Sequence, residues 1–121
     1  MRKSALAAVT ALLFTSNPAF AANEEPVTLI NAFVVPVGKE DEAISFWEQA
    51  AEFMKKQPGY ISTALHQAIT PDAKFQLINI AKWESADAFK KAHLALSQES
   101  GIERVDGVVP SPALYSIVRS D

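Results

Sequence analysis

The stretch Phe75–Leu96, FQLINIAKWESADAFKKAHLAL, limits what this chain can fold into more than any other. Residues 75–83 have the short length and apolar density of a buried strand. Ser85 follows as a helix N-cap, with Asp87 in the first turn, where the helix dipole favours a negative charge. Phe89, Ala92 and Leu96 then fall at steps of three and four, which marks one helical face. His93 is four residues after Phe89 and three before Leu96. The spacing predicts that it sits on the buried face, opposite a strand carrying Asn79.

The rest of the chain supplies elements of matching kinds. Val27–Val35 is apolar and β-branched and reads as a first strand. Leu29, Asn31, Phe33 and Val35 share one face of it, and Thr28, Ile30, Ala32 and Val34 the other. Pro36 and Gly38 end it. Lys39–Lys56 reads as a helix with apolar positions Ala43, Phe46, Trp47, Ala50, Phe53 and Met54. Glu40, Asp41 and Glu42 suit its first turn and Lys55-Lys56 its last. Pro58-Gly59 stops it. Tyr60–Ala68 is a second strand, on which Tyr60, Ser62, Ala64 and His66 alternate with Ile61, Thr63, Leu65 and Gln67. Thr70–Ala73 is a turn, so this strand and Phe75–Trp83 form a hairpin. A second helix runs from Ala86 to about Ser100. Gly101–Pro112, with two glycines and two prolines, reads as an irregular loop, and Ala113–Arg119 as a last strand.

The first residues do not read as part of this domain. Met1-Arg2-Lys3 is a short basic start, Ala5–Phe14 is apolar, and Ala19-Phe20-Ala21 fits a small-x-small cleavage site. This is the layout of a secretory signal peptide over residues 1–21, and the apolar run is too short for a membrane anchor. Cleavage after Ala21, or after Ala22, would leave a single domain of about 100 residues at 22–121, periplasmic or secreted. All 14 acidic residues lie beyond the cut, so loss of Arg2 and Lys3 takes the formal charge from −3 to −5. An acidic domain with no basic stripe argues against nucleic acid and anionic membrane surfaces as partners. The chain has no cysteine, which removes thiol nucleophiles, thiolate metal sites and disulfides together. Its two histidines have no metal-ligand spacing, and there is no phosphate-binding glycine loop.

The order βαββαβ, with antiparallel pairing, gives an α+β ferredoxin-like sandwich: four strands with both helices on one face. Each strand is apolar on both sides, whereas a sheet covered on one face alternates apolar with polar. The second face is therefore expected to be covered by a twofold copy of the chain, making a homodimer.

Several motifs resemble those of the antibiotic biosynthesis monooxygenase family of dimeric α+β barrels. They are Ile30–Gly38, then Pro58-Gly59-Tyr60 with Leu65-His66, then Asn79–Ser85 with Phe89 and His93. The resemblance covers about residues 27–96. It implies a ligand pocket between the sheet and the helices of each subunit and chemistry without metal or flavin. It carries over Asn31, Trp83 and His93 as site positions. Haem-degrading members have a Trp on the second helix and a His beyond it. Ala92 and Ile102 stand at those places here, so haem handling ranks last among the functions the resemblance implies.

Each of these residues has two readings. His93 is either a general base that takes a phenolic proton or a core histidine bonded to a neighbour. Asn31 and Asn79 either donate to a developing oxyanion or peroxide, or tie adjacent backbone. Trp83 either lines the substrate or fills the core. His66 lines the pocket, the dimer face or the surface. The leading expectation is an exported, cofactor-free monooxygenase acting on a quinol-like or polycyclic phenol. His93 and Asn31 would be its catalytic residues, and Asn79, Trp83, His66 and Phe33 its substrate contacts. The alternative is a non-catalytic dimer that binds a small hydrophobic or aromatic ligand.

Overall fold

The computed structural model describes residues 24–121, so the expected signal segment lies outside the described residues. The elements follow the expected order: β1 (Val27–Val34), α1 (Glu40–Met54), β2 (Tyr60–Gln67), β3 (Leu77–Trp83), α2 (Ala86–Glu99) and β4 (Val109–Tyr115). The strands form one antiparallel sheet in the order β2-β3-β1-β4. This is the ferredoxin-like α+β arrangement. The Thr70–Ala73 turn closes with a bond from the Ala73 N–H to the Thr70 carbonyl, and Ala68 N–H reaches the Gln76 carbonyl beneath it.

Paired residues of an antiparallel sheet project to the same side, so the register sorts the side chains into two faces. Leu29, Asn31 and Phe33 share the helix side with Ala81, Asn79 and Leu77. Thr63 and Leu65 of β2 and Leu114 of β4 join them. The other side carries Ile30, Ala32, Ile78, Ile80, Ala64 and Ala113. That face is uncovered within one chain and is apolar at its centre.

The core beneath the helices falls into two clusters. In one, Leu29, Ala81, Trp83 and Ala92 meet Met54, Tyr60, Ala88 and Phe89. In the other, Val35, Ala43 and Leu77 meet Phe33, Ile44 and Leu65. Tyr60 belongs to the first cluster because of an irregularity in β2. The strict alternation expected from the sequence places it with Ser62, but the register shifts between the two, and Tyr60 pairs with Trp83. A β-bulge adds one residue on one strand, which returns the next side chain to the other face.

β4 differs most from expectation. It starts at Val109, inside the stretch expected to be a loop, and ends at Tyr115 rather than Arg119. Prolines are excluded from central strands for want of an N–H but are tolerated on an edge strand, and β4 is an edge. Pro110 and Pro112 therefore lie opposite Phe33 and Asn31 within the strand.

Candidate functional site

Asn31 and Asn79 are direct cross-strand partners on the helix side of the sheet. Their row lies between the two core clusters: Leu29 and Ala81 precede it, and Phe33 and Leu77 follow it. The apolar floor under the helices is thus divided by a seam of two amides. Asn79 is buried, at 9% exposure, and Asn31 is half-buried. Buried amides need partners, and here each carbonyl oxygen has one. The Thr63 hydroxyl donates to Asn79 Oδ1 at 2.6 Å. The Ser111 N–H donates to Asn31 Oδ1 at 3.0 Å. Among the described residues, neither amide nitrogen has an acceptor. The seam can therefore offer hydrogen-bond donors to a third group.

The remaining expected site residues are not gathered at that seam. Phe33 lies one row away and packs into the cluster around Leu77. Trp83 is fully buried, with Tyr60 and Phe89 meeting it edge to face at ring distances of 5.6 and 5.7 Å. Its indole N–H has no hydrogen-bond acceptor among the described residues. The crossed aromatic rings around it offer π faces, a weaker class of acceptor. His66 is exposed and pairs with Ile78, so it projects to the uncovered face of the sheet, away from the helices.

His93 is also exposed, contrary to the buried position that its spacing implied. The buried face of α2 is centred on Ala92, with Ala88 and Phe89 beside it. One residue further along a helix is a turn of about 100°. His93 thus stands on the flank of α2, with its ring stacked on Phe89 at 5.6 Å and 25°. Phe89 in turn touches Trp83, so an aromatic row leads from the exposed imidazole into the core.

Two clefts stand out at the surface of the described residues. One, of about 740 Å³, lies between α1 and the segment Ser100–Asp106, with Phe46, Ile102 and Arg104 in its walls. The other, of about 400 Å³, lies between the β1–α1 turn and the β2–β3 hairpin. Neither is lined by Asn31, Asn79 or His93. The expected chamber with an imidazole on its wall is not either of these clefts.

The profile of the antibiotic biosynthesis monooxygenase family matches residues 26–98. The chain belongs to this family. Among solved structures, a candidate monooxygenase from Shewanella loihica PV-4 is 46% identical. The match spans 79% of this chain and 97% of that one, with a TM-score of 0.74. SnoaB, a cofactor-independent oxygenase from Streptomyces nogalater, is 24% identical over 79% of this chain and 96% of its own, at a TM-score of 0.59. The haem degrader MhuD from Mycobacterium tuberculosis is 23% identical over 78% of this chain and 98% of its own, at 0.60. These last two likenesses show the shared fold alone. No curated protein sequence matches the chain.

Thr63 and Ser111, which bond the two asparagine oxygens, are the residues at the seam that the sequence pattern does not single out. Thr63 shares a strand face with Ile61, Leu65 and Gln67 in the sequence pattern, but only the hairpin register puts that face under the helices and sets Thr63 diagonally beside Asn79. Ser111 fell inside the expected loop, and a backbone donor leaves no mark in a side-chain pattern.

Proposed function

We propose that this family member is an exported, cofactor-independent monooxygenase that oxidises a quinol-like or polycyclic phenolic substrate with O2. The observation that carries the reading is the amide seam, in which two anchored asparagines offer N–H groups that have no acceptor among the described residues. Donors fixed in advance and aimed at a developing negative charge stabilise it strongly where water is scarce.

In this reading His93 takes the phenolic proton at the flank of α2. The substrate anion passes one electron to O2, and the resulting radical and superoxide join through a new C–O bond. The peroxide picks up a proton and then loses water, taking the hydrogen of the attacked carbon and leaving a carbonyl. One oxygen atom stays on the ring carbon and the other leaves as water. The substrate supplies all four electrons. The amides of Asn31 and Asn79 hold the ring oxygen as charge builds on it.

Oxygen uptake with a panel of naphthohydroquinones and anthrones tests this. Wild type should exceed the uncatalysed rate, and Asn79→Ala should lose about a hundredfold or more. No uptake above background with any member of the panel would end the enzyme reading.

The exposure of His93 favours a second reading, a dimeric protein that holds such a ligand without turning it over. Native mass spectrometry of freshly purified protein would then show a bound small molecule while uptake stays at background. Export belongs to the same proposal, and N-terminal sequencing of the mature protein should begin at Ala22 or Asn23.

A further inference from the structure

Trp83 and Tyr60 touch because β2 is irregular. Strict alternation from Ser62 would leave Tyr60 on the open face of the sheet. The register shift between the two instead pairs Tyr60 with Trp83 and turns it under the helices. Their rings meet edge to face, with centroids 5.6 Å apart and planes at 85°. That is direct contact between aromatic rings. Trp83 is 1% exposed, whereas Tyr60 is half-buried. The pair thus joins a fully enclosed ring to one at the margin of the core.

The two rings differ in chemistry from their surroundings. Indole and phenol give up one electron more readily than any side chain except a thiolate, and the chain has no cysteine. The other neighbours of Trp83 include aliphatic groups, the Met54 thioether and the Phe89 ring. A phenyl ring holds its electrons far more tightly. The row from Trp83 through Phe89 to His93 is therefore closed to a positive hole, and the step to Tyr60 is open to it.

Trp83 also keeps its proton. Its indole N–H has no hydrogen-bond acceptor among the described residues. Loss of one electron makes an indole N–H acidic, and an adjacent base would take that proton and trap the hole on the ring. The π faces around Trp83 bond an N–H weakly and take no proton from it. The radical cation therefore keeps its oxidising strength until a neighbour reduces it. The Tyr60 hydroxyl is not among the buried polar atoms left without a partner, so it can release its proton to water.

We propose that Trp83 and Tyr60 form a relay that carries an oxidising equivalent out of the core. A peroxyl radical takes one electron from Trp83 and a proton from water and becomes a hydroperoxide. Tyr60 returns the electron to Trp83 and gives its phenolic proton to water. The net change converts the phenol and the peroxyl radical to a tyrosyl radical and the hydroperoxide. A reductant in solution, such as ascorbate, then restores the phenol by giving up one hydrogen atom. The relay goes beyond the oxygenase reading and stands whether or not the protein turns over a phenol.

Laser photoionisation at the red edge of the indole band, where phenols do not absorb, tests the relay without a ligand. Under air, O2 takes the ejected electron as superoxide. In a Trp47→Phe parent, Trp83 is the sole indole. Its radical-cation absorbance should give way to that of a tyrosyl radical, at a rate independent of protein concentration. Tyr60→Phe keeps the ring and should abolish the tyrosyl signal, while Tyr115→Phe should leave it intact. Peptide mapping after exposure to an azo initiator, a source of peroxyl radicals, should find more oxidation at Trp83 in Tyr60→Phe than in wild type. That measurement needs no change at Trp47 and decides the matter if Trp47→Phe does not fold. The proposal is overturned by a tyrosyl signal that survives Tyr60→Phe, a rate that rises with concentration, or a hole that stays on Trp83. Equal Trp83 oxidation with and without the Tyr60 hydroxyl overturns it too. Oxygen uptake is measured separately, and its presence or absence decides the oxygenase reading alone.

Discussion

The imidazole of His93 lies stacked on the ring of Phe89, with centroids 5.6 Å apart, on the exposed flank of α2. Position and role can therefore be separated by one substitution. An exposed side chain carries little folding energy, so His93→Ala should move the unfolding midpoint by less than about 4 °C. If His93 is the general base, oxygen uptake should fall by about a hundredfold or more. Equal uptake in the two proteins would remove His93 from the mechanism.

The N-terminus of α2 rests on one side-chain cap. The Ser85 hydroxyl accepts the Ala88 N–H at 3.0 Å, whereas Lys39 at the start of α1 makes no such bond. Ser85→Ala should cost about 1 kcal/mol in chemical denaturation. Because α2 carries Ala92 into the core beside Trp83, near-ultraviolet circular dichroism should report the same transition as the helix signal. Separate transitions would mean that α2 opens without the core.

Gly59 closes the turn between α1 and β2 against Ala88, and its carbonyl takes the Glu84 N–H at 2.8 Å. A Cβ added there would collide with the Ala88 methyl, and φ is +88°. Gly38 has the same φ with open space around it. Gly38→Ala should thus lose about 1–2 kcal/mol for backbone strain alone. Gly59→Ala should lose a further 1–3 kcal/mol or so from overpacking. Equal losses in urea unfolding would show that α2 shifts aside at no cost.

The fold was readable because local signals agreed with one another. Steps of three and four gave both helices, and the Ser85 cap and Thr70–Ala73 turn fixed boundaries close to those observed. What failed were features set by neighbours in space. Pro110 and Pro112 look like strand breakers until β4 is known to be an edge. Tyr60 follows the wrong alternation until the bulge before Ser62 is seen. His93 shares its spacing with Phe89 and Leu96, yet the buried face is centred on Ala92, and only packing sets that centre. At the site, sequence alone supplied Asn31 and Asn79 but not their shared row, which is a matter of register. His66 could not be assigned to a face without it.

The side of the sheet opposite the helices is apolar at its centre. Ala64, Ile80, Ile30 and Ala113 form its central row, and Val34, Val109 and Tyr115 lie exposed around it. Lys82 stands on the same face but next to its end. Apolar surface of this extent raises the free energy of a lone chain in water, and a second copy related by a twofold axis offers the same surface in return. Sedimentation equilibrium should therefore give the mass of two chains. Ile80→Lys puts an ammonium at the centre of the row, where pairing would bury two of them against each other without counter-charges. That variant should sediment as one chain while keeping its circular dichroism, because Ile80 is outside both core clusters. A wild type that sediments as one chain at tens of micromolar, or an Ile80→Lys protein that still pairs, would mean that this face is not where two copies meet.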